Sequence, residues 1–332
     1  MTTRVKTRRE FLRDAAAGVA ATIVPSLALG QAQDYPNKPI KIIVGYSPGG
    51  TTDALPRIFA PEMSKILGQS IVVENRVGAA GNIATTFVAQ SPPDGYTLLA
   101  TSIGQIVVSP HTSKMSVDPL KDLVHISMFG EGDQYLTIPS EVPAKNYAEF
   151  VALVKKNPGK MFHGDAGSGG NMHLYLEYYK NLAGLKMEAV HFKGGSQILP
   201  DLVSNRVQMS LMTYAVIEGY VKQGKLRPIL VFGKQRDSKY PELPTVAEVG
   251  LKPLEAAANW FGLHAPKGTP DPIIRKLYAA MVGALKTDDV KKGLANLVIT
   301  PGGDTPEHFT ARITNEWEVF RKVVADTGIK AD

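Results

Sequence analysis

The sequence predicts an α/β fold of two lobes, each a mainly parallel sheet flanked by helices, and three observations carry that prediction. Short β-rich runs alternate with helix-like runs almost without interruption from Ile40 onward. Two glycine-rich turns far apart in the chain, Tyr46–Asp53 and Gly164–Asn171, each join a strand-like run to a helix-like run. A polar, proline-rich excursion at Gly233–Pro244 precedes a return strand at Trp260–His264, so that one lobe draws on both ends of the chain. The expected layout is 34–133 plus 257–332 for the first lobe and 134–256 for the second.

The strands expected in order are Ile40–Val44, Ile71–Glu74, Thr97–Thr101, Leu136–Ile138, Lys160–His163, Glu188–Phe192, Val207–Leu211, Pro228–Phe232 and Trp260–His264, chosen for β-branched and aromatic content between turn signals. Helices are expected over Thr52–Leu67, Gly81–Gln90, Tyr147–Lys156, Met172–Leu182, Gln197–Ser204, Ala215–Gln223, Asp271–Lys286, Asp288–Ala295 and Pro306–Asp326. In the first of these, Pro56 is expected in the opening turn, where an amide is unpaired anyway, and Pro61 in the interior, where it removes a hydrogen bond.

Before the first strand, Arg8-Arg9 precede the apolar stretch Ala15–Val24 and a small-residue end at Ala28–Ala32. This is the layout of an export signal, and the arginine pair points to the twin-arginine type, with residues 1–32 removed and the remainder periplasmic. The apolar stretch is too short to span a bilayer, which takes about 20 residues. The formal charge is +6, but Arg4, Lys6, Arg8, Arg9 and Arg13 against Glu10 and Asp14 place half of it in this segment. What is left is too little to argue for nucleic acid, and basic runs interleaved with aromatics are missing. The chain has no cysteine, which excludes disulfides, thiolate metal sites and a thiol nucleophile.

A strand that runs through a tight turn into a helix aims unpaired amides, and the positive end of the helix dipole, at what lies above the strand. Two such turns, one in each lobe, imply a shared cleft for a small anion, and a carboxylate is the natural guest. Gly49 and Gly50 leave amides open, and Thr51 and Thr52 add hydroxyls, although either threonine could be a plain helix cap. Asp53 fits a structural role better than a ligand contact. In the second turn Gly167, Ser168, Gly169 and Asn171 offer similar donors. Ser102 and Gln105 follow a strand end, where ligands of open α/β sheets bind. Lys193 and Ser196 belong to a third strand-to-helix turn, and His173 stands early in its helix. Asp165, if it faces the cleft, would accept a hydrogen bond from a hydroxyl or ammonium on the ligand.

Taken together in order and spacing, Tyr35-Pro-x-Lys-Pro-Ile-Lys-Ile-Ile-Val44, the Pro-Gly-Gly-x-x-Asp turn ending at Asp53, Val73–Arg76 with Gly78 and Gly81-Asn-Ile83, Asp94–Leu98, Lys193-Gly194, Gly224–Arg227, Pro244–Glu248 and Trp260–Gly262 closely resemble the substrate-binding receptors of tripartite tricarboxylate transporters, the Bug family. The resemblance implies a periplasmic binding protein of the type II, Venus-flytrap kind. Its lobes would close on a carboxylate and deliver it to the membrane components of an ion-gradient-driven transporter. In the family the two glycine turns hold the ligand, largely through backbone amides. This chain departs from the family in having Tyr46 and Ser47 before Pro-Gly-Gly, Asp165 where a small residue is common, and Thr213 followed by Tyr214 where an acidic residue is frequent.

The resemblance implies a monomer that needs no cofactor or metal. A receptor feeding a sensor kinase would use the same ligand chemistry. An exported hydrolase or lyase is the competing class, but H-x-x-x-H, G-x-S-x-G and the nucleotide-binding glycine motifs are all missing.

Overall fold

A computed structural model describes residues 35–237, 240–256, 259–328 and 330; the expected export signal lies outside the described residues. From Pro36 onward the chain forms one compact unit containing two sheets.

The first sheet holds β1 (Ile40–Val44), β2 (Ile71–Asn75), β3 (Thr97–Ser102), β4 (Leu123–Gly132), β10 (Asn259–Pro266) and β11 (Thr300–Pro301), in the order β11-β4-β10-β3-β1-β2. The second holds β5 (Gln134–Pro139), β6 (Phe162–Asp165), β7 (Glu188–His191), β8 (Met209–Thr213) and β9 (Leu226–Phe232), in the order β7-β6-β8-β5-β9. The fold is the two-lobed α/β architecture expected, but the sheets are mixed rather than mainly parallel. β1 runs parallel to β2 and β3, and β6 parallel to β7 and β8, because helices return the chain between them. β10 and β5, the first strands after each passage between sheets, enter from the opposite end and pair antiparallel with both neighbours. The passages are short in one direction and long in the other: Asp133 alone separates β4 from β5, whereas the excursion after Phe232 precedes β10.

The principal helices are α1 (Thr51–Leu67), α2 (Asn82–Ala89), α3 (Tyr147–Lys156), α4 (Asn171–Ala183), α5 (Gly195–Val203), α6 (Tyr214–Lys222), α7 (Asp271–Leu285), α8 (Asp288–Leu297) and α9 (Pro306–Thr327). They pack apolar faces on the sheets; Phe59, Phe129 and Phe309 are fully buried in the first lobe and Phe150, Tyr179 and Phe232 in the second. α1 begins at Thr51, so Pro56 as well as Pro61 lies past its first turn, and the helix runs through both.

β4 is an addition to the expected strands. Its inward positions include His125 and Ser127, both buried, which break the apolar pattern. His125 and His264 meet through their Nδ1 atoms at 2.8 Å, and His264 Nε2 lies 2.7 Å from the Thr101 hydroxyl. Burial holds both rings neutral, pushing His125 down to about 4. β11 pairs only through Thr300 and Pro301, too short a segment for sequence periodicity to reveal.

Candidate functional site

The pocket between the sheets is assembled from the ends of strands and the starts of helices. The first turns of α1, α4 and α5 and the residue that opens α6 line it through Gly50, Thr51, Thr52, Asn171, Met172, Gly195 and Thr213. The residues preceding these helices are Gly50, Gly170, Gly194 and Thr213, and none makes a side-chain capping bond. Glycine brings no side-chain oxygen to its own helix start, so first-turn amides remain available to a guest. Ahead of α3 and α9 a side chain does this work, Asn146 accepting from the Glu149 amide and Thr305 from the His308 amide, whereas α2, α7 and α8 start without such a bond although they do not reach the pocket.

Tyr46, Ser47, Ser102, Gln134, Asn259 and Phe261 complete the polar and aromatic lining, and Ala166, Leu211, Met212 and Val216 the apolar part. Among the described residues none that lines the pocket carries a formal charge. The cavity measures about 70 Å³, room for roughly five waters at about 10–15 Å³ each, or for a compact guest of similar bulk.

The two lobes touch around it. Thr51 Oγ1 and Thr213 Oγ1 are 2.6 Å apart, Ser196 Oγ donates to the Pro48 carbonyl at 2.8 Å, and the Ser47 amide donates to the Lys193 carbonyl at 3.2 Å. Gly194 packs so closely that a Cβ there would lie 2.3 Å from Ser47 Oγ.

Of the residues expected from sequence, Tyr46, Ser47, Gly50, Thr51, Thr52, Ser102, Asn171 and Thr213 come together in this pocket. Tyr46 uses its hydroxyl to donate to the Ala80 carbonyl at 3.0 Å, and burial pushes its pKa up to about 12, so it is a neutral wall. Gly167, Ser168 and Lys193 line a separate hollow of about 490 Å³ that shares Ala166 with the pocket. Ser196 serves the contact between lobes.

The others hold the turns in shape. Asp53 accepts from the Gly49 amide at 3.0 Å, from Arg57 at 2.8 Å and from Asn75 at 2.8 Å. Burial opposes its charge, but these partners together keep its carboxyl below the ordinary range. Gln105 is fully buried, accepting from the Ser102 amide and donating to the Gly81 carbonyl and Thr85. Asp165 does not face the cleft, which corrects the expectation that it meets a ligand hydroxyl. It is buried, accepts from the Gly167 amide at 2.9 Å and pairs with His191 at 2.8 Å across the β6–β7 register. His173 is likewise inward, its Nδ1 accepting from the Gly169 amide at 3.0 Å, and the Gly169 carbonyl accepts from Thr112. Ligating atoms of Asp165, His173 and His191 lie within 4.8 Å of one another, a grouping that sequence spacing does not reveal. Tyr214 packs against Tyr135, and its hydroxyl shares a hydrogen bond with that of Tyr240.

Gln134 and Asn259 were not anticipated. They open β5 and β10, and the only sequence signal is their position at the two passages between lobes.

Residues 55–325 match the family profile TctC, described as the tripartite tricarboxylate transporter family receptor. Protein BugT of Bordetella pertussis is 32% identical over 322 residues, covering 95% of each chain. Among solved structures, R. palustris Rpa4515 with adipate is 30% identical, with a TM-score of 0.84 over 90% of this chain and 99% of that one. MatC of Rhodopseudomonas palustris with bound malate is 29% identical, with a TM-score of 0.81 over 87% of this chain and 100% of that one. No helix among the described residues is long and apolar enough to cross a membrane.

Proposed function

The chain belongs to the tripartite tricarboxylate transporter receptor family, and from that premise we propose that it captures a small carboxylate between its lobes in the periplasm and hands it to the membrane components of a tripartite transporter. The lobes are 34–133 with 257–332, and 134–256; residues 1–32 are its export signal, and it acts as a monomer. The observation that carries this reading is the convergence of four helix starts without side-chain caps on one pocket whose described lining is uncharged.

An anion entering such a pocket exchanges water for oriented amides, each charge-assisted bond worth about 1.5–3 kcal/mol. One of those helix starts belongs to the first lobe and three to the second, so a guest held by both binds the closed arrangement better than an open one. The adipate and malate named with the relatives supply the chemical precedent.

Thermal unfolding with mono-, di- and tricarboxylates tests the binding step. At a concentration of about 100 Kd a bound acid adds about 2.7 kcal/mol, a rise of roughly 5 °C or more for a chain of this size, while the corresponding neutral amides add nothing. If no carboxylate raises the melting temperature, the reading fails. Delivery is tested by uptake of the bound acid into cells that carry the membrane components, with and without the receptor.

A further inference from the structure

Asp165 closes β6, His191 closes the neighbouring β7, and His173 stands in the first turn of α4, so three metal-ligating side chains from three elements gather at the second glycine turn. One ligating atom from each lies within 4.8 Å of the others. Asp165 is fully buried and His173 nearly so, whereas the His191 side chain is 28% exposed and opens the group to solvent on one side. The two imidazoles meet edge to face with centroids 4.9 Å apart, and His191 Nδ1 lies 2.8 Å from Asp165 Oδ2. A buried carboxylate needs a positive partner, and here imidazoles stand where Arg57 stands for Asp53. Behind His173, Glu177 Oε1 lies 3.8 Å from Nε2 and is itself held by Lys180 at 2.6 Å and His163 at 3.2 Å. A carboxylate on the far nitrogen of a ligating imidazole fixes the orientation of its ring and its tautomer.

We propose that Asp165, His173 and His191 bind a zinc ion, with a water as its fourth ligand on the exposed side of His191. Two imidazoles and one carboxylate suit a divalent transition ion, while calcium and magnesium take oxygen ligands. Ligand atoms about 2.0–2.2 Å from a tetrahedral zinc stand roughly 3.5 Å apart, so the three side chains close by about 1 Å, a movement open to the His191 ring. The ion takes the place of the proton shared by Asp165 and His191, and His173 Nδ1 exchanges the Gly169 amide for it. Bound there, it ties β6, β7 and α4 around the turn that carries Ala166 and Asn171 to the pocket. This site is separate from the anion pocket and does not depend on which acid the pocket takes.

The test uses the full chain, made without a histidine tag, stripped with EDTA and titrated with zinc chloride in a non-coordinating buffer at about pH 7.5, where free imidazole is neutral. Calorimetry, and elemental analysis after gel filtration, should give one zinc per chain. Zinc at about 100 Kd should raise the melting temperature by roughly 5 °C, and millimolar calcium or magnesium should leave it unmoved. Asp165→Asn and His191→Ala should each weaken zinc binding at least tenfold, about the least that loss of even an outer partner costs. His308→Ala, which removes an exposed imidazole beside Asp304, should change nothing. Should Asp165→Asn lower the metal-free melting temperature, the partly exposed His191 decides the matter alone. Protein that leaves gel filtration without zinc overturns the proposal. So does zinc affinity that survives in His191→Ala or is lost in His308→Ala, which would place the ion on the surface. The carboxylate reading is measured without zinc and stands or falls separately.

Discussion

The two glycine turns solve one problem with different chemistry. In the first, the carboxylate nearest the loop, Asp53, is bound by Arg57 one helical turn away and by Asn75, and in exchange accepts the Gly49 amide. In the second, the carboxylate is Asp165, its partner is His191 on the neighbouring strand, and a second histidine, His173, accepts the Gly169 amide. Both arrangements keep a negative charge occupied and out of a pocket meant for an anion. The difference is that the first brace is an arginine, which stays charged, whereas the second is built from imidazoles. A carboxylate in a binding turn is therefore not evidence of ligand contact until its partners are known.

The largest effect is expected where the turns are brought together. Gly194→Ala would drive a methyl into Ser47 and hold the lobes apart. Carboxylate affinity should fall more than a hundredfold by calorimetry, and the ligand-free melting temperature should also drop, because Gly194 sits at φ 159°, ψ 159°, where a Cβ costs about 1–3 kcal/mol. Near wild-type affinity would show that the closed contact is unnecessary and would dissolve the comparison.

Next comes Asp53→Ala, which orphans the Gly49 amide and releases Arg57. A loss of about 2–3 kcal/mol in denaturant unfolding is expected, unchanged between pH 7.5 and 5.5 because arginine does not titrate there. A loss that varied across this range would contradict the view of the first brace as pH-indifferent.

The second brace should respond to acid. Burial, opposed by the nearby Asp165 and Glu177 and reinforced by His191 and His163, holds the His173 pKa below its ordinary value. The folded protein thus keeps this ring neutral while the unfolded chain takes up a proton below about pH 6.5. Its contribution is whole above that pH and declines as pH falls below it. His173→Gln, which retains an acceptor for the Gly169 amide, should flatten this part of the pH profile of the melting temperature. An unchanged slope would place the acid response elsewhere, for instance at the buried His125–His264 pair, whose pKa values are depressed in the same direction.

Much of this architecture is legible in the sequence because it is written in backbone chemistry. Glycine-rich turns between β-rich and helical runs mark where amides are exposed, and Gly50, Thr51 and Asn171 reach the pocket as the turn argument requires, while Thr213 was singled out only through the family resemblance. Side-chain roles were harder to read wherever the partner is distant. Asp53 carries its explanation nearby, since Arg57 follows at the spacing of one helical turn. Asp165 does not, because His191 becomes its neighbour only through the β6–β7 register. β4 escaped notice because His125 and Ser127 occupy inward positions where apolar residues would mark a strand. Gln134 and Asn259 gain their importance from where two strands begin, which depends on the whole topology.

The hydroxyl contact between Thr51 and Thr213 spans the two lobes at the edge of the pocket. With the Ser196–Pro48 and Ser47–Lys193 contacts it ties the start of α1 to the second lobe, so widening the pocket at this edge means breaking three short polar contacts and no apolar core.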